Sequence, residues 1–258
     1  MSAMTIFLLT LLILLGAMVL LWGVSLLRRD ASIVDIFWGI GFAGVAGIGL
    51  WQGEPTARHR IFAALAIVWG LRLAIYLAWR NLGKGEDPRY QALRRKYGVR
   101  FPLISLPLVF GFQGLLIWII SWPLQVLAGQ SEPWTIYDSF GAALWAAGFA
   151  FESIGDWQLA RFKARPENRG KVLDRGLWAL TRHPNYFGDA VLWWGLALPA
   201  IAGGAWWTIL GPVVMTYLLM KFSGVPLLEK SLVETRPGYR DYIQRTNAFF
   251  PWRPRRER

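Results

Sequence analysis

The feature that most constrains this chain is an apolar run at residues 3–27 that contains no charged side chain. A bilayer core of about 30 Å is crossed by roughly 20 apolar residues in an α-helix, so this run is long enough to span a membrane. A cleaved signal peptide is the alternative, but no cationic segment precedes the run and no small-residue cleavage site follows it. The run therefore predicts a transmembrane helix.

The composition of the whole chain also indicates an integral membrane protein. Of its 258 residues, 55% are apolar and 16 are Trp, and the mean hydropathy is positive, which exceeds what the core of a soluble domain of this length needs. Further apolar segments predict helices at 33–51, 62–79, 103–128, 138–159, 186–203 and 205–222. We therefore expect an all-α fold with seven transmembrane helices in a single membrane domain, residues 1–258.

The basic residues predict the orientation of these helices. Seven of the 28 Lys and Arg residues lie at 80–100, seven at 156–183 and nine from Lys221 onward, and a seven-helix topology places all three segments on one side. By the positive-inside rule this side is the cytoplasm, so the N-terminus is outside and the C-terminus is cytoplasmic. Membrane topology and attraction to anionic lipids can explain such basic loops without any role in ligand binding. We predict a multi-pass protein of the bacterial inner membrane.

Polar residues inside the apolar segments form a second group of candidates. Asp35, Arg72, Gln113, Glu152 and Asp156 each lie within a predicted helix, where a polar side chain is costly and usually faces a cavity or a partner. Glu152 and Asp156 are four residues apart and therefore share one helix face. Two hypotheses remain open for Asp35. It forms a structural ion pair with Arg72, or it lies beside a bound ligand.

The combination of basic loops, carboxylates and amides suits a dinucleotide. Cations bind its pyrophosphate and any 2′-phosphate, carboxylates bind ribose hydroxyls, and an amide or carboxylate binds the nicotinamide carboxamide. A Rossmann crevice, which needs a glycine-rich turn from a strand into a helix, is excluded, so the cofactor would lie among helices. Two His and no Cys argue against a metal centre, and no nucleic-acid-binding module is visible.

Residues 176–195, GLWALTRHPNYFGDAVLWWG, place a cation, an imidazole, an amide, a phenol and a carboxylate directly before an apolar helix. This stretch resembles the C-terminal motif of the steroid 5α-reductase family, in which Arg-His-Pro-Asn-Tyr-x-Gly-acid precedes an apolar helix. The resemblance extends back through ESIGDWQLARFKARPENRGKVLDRG and forward through LLEKSLVETRPGYRDY. The Arg-His-Pro core is shared with isoprenylcysteine carboxyl methyltransferases and sterol reductases, so it indicates the superfamily rather than the reaction.

The resemblance implies NADPH as the cofactor and assigns residues that bind it. These residues are Asp156, Lys163, Arg169, Lys171, Arg182, His183, Asn185, Tyr186, Asp189, Lys221 and Glu229. Lys replaces the family's Arg at three positions, and Lys binds phosphate as a point charge without the planar fork of Arg. Packing alternatives exist within the motif: Pro184 as the first residue of a helix, Tyr186 as an interfacial aromatic and Gly188 as a helix contact.

The resemblance also implies reduction of the C4–C5 double bond of a 3-oxo-4-ene steroid or a similar hydrophobic enone. Hydride on C5 pushes electron density onto the C3 oxygen, so the site must stabilise a developing enolate. The family places an acid near the start of the second helix and an aromatic hydroxyl on the third. Asp35 matches the acid and would donate when protonated, whereas Trp69 stands at the position of the hydroxyl. We therefore predict Asp35, Trp69 and Trp38 as catalytic, with Tyr76 as an alternative partner of Asp35.

The expected partners are a hydrophobic small-molecule substrate that enters from the bilayer, the NADPH cofactor and membrane lipids, without nucleic acid or an inferred protein partner. The substrate side is assigned to helices one to four (1–130), and the cofactor side to helices five to seven and the basic loops (131–258). Two alternatives from other classes stay open. They are an S-adenosylmethionine-dependent methyltransferase of a hydrophobic or lipidated substrate, and a non-enzymatic lipid-binding or transport protein.

Overall fold

The computed structural model describes residues 3–51, 55–222 and 224–255, and the regular secondary structure within these ranges is helical. The first three helices are long: α1 is Ala3–Arg28, α2 is Ile33–Trp51 and α3 is Ala57–Asn81. Each contains a predicted apolar segment. α3 begins before the expected residue 62 because Thr56 caps it, and the Thr56 hydroxyl accepts a hydrogen bond from the His59 backbone N–H at 3.2 Å.

The fourth predicted segment is an interrupted helix, and a short helix precedes it in the basic loop. The loop helix is α4, Pro88–Tyr97, and it leads through a 3₁₀ turn, Gly98–Arg100, into α5, Phe101–Ser105. A π-helical stretch, Leu106–Gly111, then joins α6, Phe112–Ile120, and α7, Trp122–Leu127. Pro107 and Pro123 lie at these interruptions, as expected for a residue without a backbone N–H.

The rest of the chain forms one long helix, α8, followed by helices that alternate with irregular segments. α8 is Ile136–Lys163, α9 is Leu177–Leu180, α10 is Pro184–Ala202, α11 is Leu210–Tyr217, α12 is Val225–Thr235 and α13 is Tyr239–Arg245. Short 3₁₀ turns lie at Pro166–Asn168 and Trp206–Ile209, and a π-helical stretch lies at Leu218–Phe222. α8 continues past the expected residue 159 because the sequence has no Gly or Pro until Pro166, and cations in its last turn favour the helix C-terminus.

Four of the described helical segments are long and apolar enough to cross a membrane. They are residues 4–28, Ile33–Trp51, Ala57–Asn81 and Pro88–Ile120. This finding is compatible with the predicted integral membrane protein, and the all-α expectation is confirmed for the described residues. Helices also form at the last three predicted segments, but α8 and α10 carry acidic side chains that reduce their apolar character, so seven spans stay a prediction.

Glycine contacts fix the start of α2 against α3. Gly39, Gly41 and Gly44 match the pattern GxGxxG, but they lie inside α2 and not at a strand-to-helix turn, so they do not form a dinucleotide-binding loop. A Cβ on Gly39 would lie 2.0 Å from the carbonyl oxygen of Gly70, and a Cβ on Gly70 would lie 2.4 Å from that of Gly39. The two backbones therefore touch, which holds Asp35 in a defined place beside α3.

A second set of glycines brings α8 against α10. A Cβ on Gly188 would lie 2.4 Å from the backbone nitrogen of Glu152, and a Cβ on Gly195 would lie 2.6 Å from the carbonyl oxygen of Gly141. Gly188 therefore has the packing role considered for it. The close contact places Asn185 of α10 beside Asp156 of α8, where its Nδ2 donates to Oδ1 at 3.1 Å.

The chain divides into two compact units. The first comprises Met1–Thr135 and Pro199–Thr208, and the second comprises Ile136–Leu198 and Ile209–Arg258. Asp35, Trp38 and Trp69 belong to the first unit. All of the residues predicted to bind the cofactor belong to the second unit.

Candidate functional site

Asp35 lies in the first turn of α2 and is bonded to the first turn of α4. Its carboxylate accepts hydrogen bonds from the Arg89 guanidinium at 2.6 Å and from the Tyr90 hydroxyl at 2.7 Å. α4 presents these two side chains because Asp87 caps its N-terminus, accepting from the Arg89 backbone N–H at 2.9 Å and from Arg89 Nε at 2.8 Å. The ion partner of Asp35 is therefore Arg89, and the hypothesis of a pair with Arg72 is wrong.

A chain of hydrogen bonds leads to Asp35 from two further residues. The Trp38 indole N–H donates to Gln113 Oε1, and Gln113 Nε2 donates to the Tyr90 hydroxyl at 3.0 Å, which in turn donates to Asp35. The three bonds run in the same direction, so each polarises the next. We call Asp35, Trp38, Arg89, Tyr90 and Gln113 the Asp35 cluster, and its polarised proton is that of the Tyr90 hydroxyl.

The other residues predicted beside Asp35 lie in different surroundings. Trp69 is fully buried and packs on Phe42, with ring centroids 5.5 Å apart. Tyr76 lies under the guanidinium group of Arg72, whose Cζ is 5.3 Å from the ring centroid. The hydroxyl that contacts Asp35 is therefore that of Tyr90, and catalytic roles for Trp69 and Trp38 stay predictions.

In the second unit, the motif Thr181–Pro184 joins α9 to α10 beside the C-terminal segment. The Thr181 hydroxyl donates to the Phe249 carbonyl at 2.8 Å, and the Arg182 backbone N–H donates to the Asn247 carbonyl at 2.9 Å. The Trp252 backbone N–H donates to the Leu180 carbonyl at 2.9 Å. Backbone and side-chain hydrogen bonds to the residues that follow α13 therefore fix the position of the motif.

Arg182 and His183 share the carboxylate of Glu229 on α12. Arg182 donates from Nε to Oε1 at 2.7 Å and from a terminal nitrogen to Oε2 at 3.2 Å, and His183 Nε2 lies 2.9 Å from Oε1. The remaining terminal nitrogen of Arg182 donates to the carbonyls of Ile243, at 3.1 Å, and Thr246. Most donors of Arg182 therefore hold α12 and α13 in place.

Burial determines the charge state of this trio. It lowers the pKa of His183 below its ordinary value, although the hydrogen bond to Glu229 opposes the shift. Burial would raise the pKa of Glu229, but the hydrogen bonds with His183 and Arg182 outweigh it and the pKa is lowered. A neutral imidazole that donates from Nε2 keeps Nδ1 as an acceptor. His183 Nδ1 is buried and has no hydrogen-bond partner among the residues that the structure describes.

His183 and Arg182 line a cavity of about 490 Å³ in the second unit, which we call the basic cavity. Its volume is within the range of small-molecule sites. Six cations and four aromatic side chains line it: Lys163, Arg165, Arg169, Lys171, Arg182 and Arg236, with Phe162, Trp178, Tyr239 and Tyr242. Over the described ranges its lining holds no carboxylate, and Arg169, Lys171 and Arg236 have no acidic side chain within salt-bridge distance. The cavity is therefore strongly positive.

The basic cavity brings together five of the residues predicted to bind the cofactor. Its lining includes Lys163, Arg169, Lys171, Arg182 and His183. Their shared position follows from the fold: Lys163 ends α8, Arg169 and Lys171 lie in the loop after α8, and Arg182 and His183 lie in the segment between α9 and α10.

The other predicted residues lie near these or outside the lining. Tyr186 stacks on His183 with ring centroids 5.3 Å apart and planes 5° apart, and Asn185 is bonded to Asp156, which is 3% exposed. Asp189 is half-buried on α10, whereas Lys221 is exposed in the π-helical stretch. Neither Asp189 nor Lys221 contributes to the lining of the basic cavity.

Sequence reasoning missed several polar residues of these two sites, including Arg89 beside Asp35. Arg165, Arg236 and Tyr239 line the basic cavity, and Tyr90 contacts Asp35. A signal for Tyr90 was present, because Asp87 followed by Pro88 is typical of a helix start. Such a start places the next residues in a first turn, where their side chains are fixed.

The fold and these sites define an all-helical protein with helices suited to a membrane, a carboxylate–hydroxyl cluster and a cation-rich cavity. The chain belongs to the family described as "Protein of unknown function (DUF1295)", whose model matches residues 21–246. This family includes steroid 5α-reductase-like proteins.

Three curated relatives are similar to this chain. An uncharacterized protein of Schizosaccharomyces pombe is 28% identical over 90% of this chain and 75% of its own length. The 3-oxo-5-alpha-steroid 4-dehydrogenase 1 of Mus musculus is 30% identical over 45% of this chain and 44% of its own length. A probable O-methyltransferase of Ustilaginoidea virens is 33% identical over 36% of this chain and 32% of its own length. The last two alignments thus span less than half of either protein. No solved structure matches the chain significantly.

Proposed function

We propose that this protein is an NADPH-dependent reductase that saturates the carbon–carbon double bond of a hydrophobic enone. The C4–C5 double bond of a 3-oxo-4-ene steroid is one such bond. The similarity to 3-oxo-5-alpha-steroid 4-dehydrogenase 1 supports an enzyme of the reductase kind. The observation that carries the proposal is the basic cavity, because its six cations suit the phosphates of a dinucleotide.

The donor set of the basic cavity fits NADPH on chemical grounds. Lys and Arg side chains without an acidic partner, such as Arg169, Lys171 and Arg236, suit a pyrophosphate and a 2′-phosphate. The buried acceptor Nδ1 of His183 suits an amide or hydroxyl hydrogen of the cofactor. Asp156 and Asn185 are bonded to each other outside the lining of this cavity, and we propose that they offer a carboxylate and an amide for a ribose or a carboxamide. When bound, NADPH would supply the hydride, and water would supply the proton that converts the enolate into the saturated ketone.

The Asp35 cluster supplies the polar group that an enone requires. As hydride reaches the carbon β to the carbonyl, negative charge develops on the carbonyl oxygen, and a fixed hydrogen-bond donor lowers the energy of that state. The Tyr90 hydroxyl donates to Asp35 in this structure, so it would reach a carbonyl oxygen by turning its O–H bond from Asp35 to the substrate while its oxygen still accepts from Gln113. Asp35 and Arg89 hold the Tyr90 side chain in position. We therefore assign the carbonyl contact to the Tyr90 hydroxyl, and the positioning of that hydroxyl to Asp35.

Loss of NADPH absorbance in the presence of a panel of hydrophobic enones tests this function. We expect purified protein in detergent to consume NADPH only when an enone is present, with one saturated product molecule formed per NADPH. The Tyr90→Phe variant is the matched control, because it removes a single oxygen. Consumption of NADPH that does not depend on an enone, or none with any member of the panel, would contradict the proposal.

A methyltransferase is the second candidate, because the probable O-methyltransferase is also similar to part of this chain. S-adenosylmethionine carries a sulfonium cation, an ammonium group and one carboxylate, so its net charge is positive, and it has no phosphate. Six cations around one cavity would repel the sulfonium and ammonium groups, whereas they attract the several negative charges of the NADPH phosphates. Saturable binding of S-adenosylmethionine that excludes NADPH would favour this candidate over the reductase.

For the topology we propose seven spans, with the N-terminus outside, the C-terminus in the cytoplasm and the protein in the bacterial inner membrane. The uneven distribution of Lys and Arg supports this orientation. Since the chain has no Cys, a single introduced thiol reports its own side of the membrane. We expect a membrane-impermeant maleimide on intact cells to label Ser131→Cys but not Arg95→Cys. The reverse pattern would invert the topology.

A further inference from the structure

A second basic space lies on the surface of the second unit, beside the end of α8. It has a volume of about 340 Å³, and its lining includes Trp157, Arg161, Phe162, Arg165, Leu173 and Arg175. We call it the α8 cleft. Only Phe162, Arg165 and Leu173 also line the basic cavity, so Arg161 and Arg175 are not explained by the proposed cofactor site.

The arginines of the α8 cleft keep their hydrogen-bond donors available. Arg161 lies over the Trp157 ring, with its Cζ 5.4 Å from the centroid, and Arg175 lies over the Phe162 ring at 5.9 Å. Within the described parts of the chain, Arg161, Arg165 and Arg175 have no carboxylate within salt-bridge distance. Aromatic faces position these guanidinium groups without using their N–H donors. The cleft therefore presents fixed, uncompensated positive charge.

An exposed apolar stripe on α8 leads directly to this cleft. Phe140, Leu144, Ile154 and Trp157 are 59%, 41%, 45% and 57% exposed, and the exposed Ala147 and Ala150 complete the row. Successive members are three or four residues apart, so they form one face of the helix, and Arg161 is the next position on this face. A molecule that follows the stripe meets apolar side chains, then an indole, then guanidinium groups.

From this arrangement we infer that the α8 cleft binds the phosphate of an anionic phospholipid, whose acyl chains lie along the exposed stripe of α8. The order of apolar, aromatic and cationic groups matches the order of acyl chain, interface and headgroup in one leaflet. Charge complementarity selects an anionic lipid, because basic pockets beside membrane helices bind such headgroups. Arg suits this role since its planar fork contacts two phosphate oxygens. The inference rests on the proposed topology, in which α8 crosses the membrane, and it is independent of the reaction proposed above.

Native mass spectrometry in a neutral detergent tests the site, with phosphatidylglycerol and phosphatidylcholine as the lipid probes. We expect the protein to retain phosphatidylglycerol in preference to phosphatidylcholine. Arg161→Gln combined with Arg175→Gln should weaken binding of phosphatidylglycerol by about tenfold or more, given the strength of charge-assisted hydrogen bonds. Arg165 stays unchanged, because it also lines the basic cavity. Equal retention of both lipids by the unchanged protein would overturn the inference.

Arg95→Gln combined with Arg100→Gln is the matched control, because it removes the same charge from exposed positions of the first unit. We expect this control to retain phosphatidylglycerol, and both double variants to unfold at the same temperature without lipid. An equal loss in the control would show that net charge alone binds the lipid. Displacement of the lipid by inorganic phosphate or NADPH at comparable concentration would assign the cleft to a soluble anion. A dimer that is lost in the Arg161/Arg175 variant would assign it to a second copy of the chain.

Discussion

The acidic side chains around Asp35 form ion pairs with nearby arginines, whereas most cations that line the basic cavity have no acidic partner among the described residues. In the first unit Asp35 binds Arg89 at 2.6 Å and Glu86 binds Arg94 at 2.7 Å. In the second unit Glu229 neutralises Arg182, and Arg169, Lys171 and Arg236 have no acidic partner in the described ranges. The difference indicates two kinds of ligand. A cluster whose positive and negative charges are paired suits a neutral carbonyl group, and a cavity with excess positive charge suits an anion.

The largest effect is expected from Asp35→Asn, which tests the Asp35 cluster. It removes the carboxylate that holds Tyr90 and Arg89, so turnover of an enone should fall by roughly 10²-fold or more, as when an acid–base group is lost. Stability should change little, because Arg89 is 44% exposed and keeps Asp87 as a partner. Initial rates and the Tm with NADPH present measure the two quantities.

Arg89→Leu separates catalysis from architecture at the same pair. If the pair were purely structural, Asp35→Asn would lower the Tm sharply and Arg89→Leu would restore it in the double variant. We expect the second substitution to restore neither Tm nor turnover. The reason is that Asp35 serves to position the Tyr90 hydroxyl for a substrate oxygen. Full turnover in Asp35→Asn would remove the cluster from the reaction.

Removing positive charge from the basic cavity should have the next largest effect, which is on cofactor binding. Lys163→Gln combined with Lys171→Gln should weaken NADPH binding by about tenfold or more, because each charge-assisted phosphate contact contributes roughly 1.5–3 kcal/mol before screening. NADH binding should weaken less, since it lacks the 2′-phosphate. Fluorescence titration of both cofactors measures the ratio, with Arg95→Gln/Lys96→Gln as the charge-matched control. Equal losses of affinity for NADPH and NADH would show that these lysines bind the pyrophosphate that both cofactors share, or that they serve only membrane topology.

Asn185→Ala should have a smaller effect, confined to the rate of hydride transfer. The variant loses the hydrogen bond from Nδ2 to Asp156 and the amide proposed for the nicotinamide, so the reacting carbon would be misplaced. We expect a fall of about tenfold in kcat with the protein still folded in detergent. Asn81→Ala, which truncates a half-buried amide at the end of α3, is the control. Unchanged kcat in Asn185→Ala would exclude this side chain from the site.

The smallest effect concerns pH and the His183–Glu229 contact. Burial lowers the pKa of His183 in the folded state, so the unfolded chain binds a proton more readily. The stability contributed by neutral His183 is therefore complete above its ordinary pKa of 6.5 and is lost as the pH falls below that value. The pKa of Glu229 is also lowered, from 4.5, so its contribution is lost at still lower pH. Tm should fall between pH 7 and 5, and less so in His183→Gln. An identical decline in that variant would assign the effect to other groups.

Much of the fold follows from apolar segments, but the contacts of Asp35 do not. Predicted segments such as 33–51 coincide with helices because hydropathy and length decide helix formation in a membrane. Tyr90 lies 55 residues from Asp35 in the sequence, and its place depends on the Asp87 cap of a loop helix that has no apolar run. Trp69 was predicted from spacing in the resembling family. Its burial against Phe42 could not be read from spacing.

The predicted cofactor residues show the same limit. Lys163, Arg169 and Lys171 line one cavity because they lie close together in the sequence, at the end of α8 and in the loop after it. Arg236 and Tyr239 join them only because α12 and α13 fold back, held by Arg182 through Glu229 and the Thr246 carbonyl. Such long-range contacts need the fold, and motif spacing alone does not supply them.

Competitive titration of purified protein with NADPH and S-adenosylmethionine is the most direct test of the charge difference described above. We expect saturable NADPH binding that raised ionic strength weakens, that Lys163→Gln/Lys171→Gln weakens further and that S-adenosylmethionine does not displace. Binding of S-adenosylmethionine alone, or NADPH binding that is insensitive to both salt and the two substitutions, would contradict a basic cavity built for a phosphate-bearing dinucleotide.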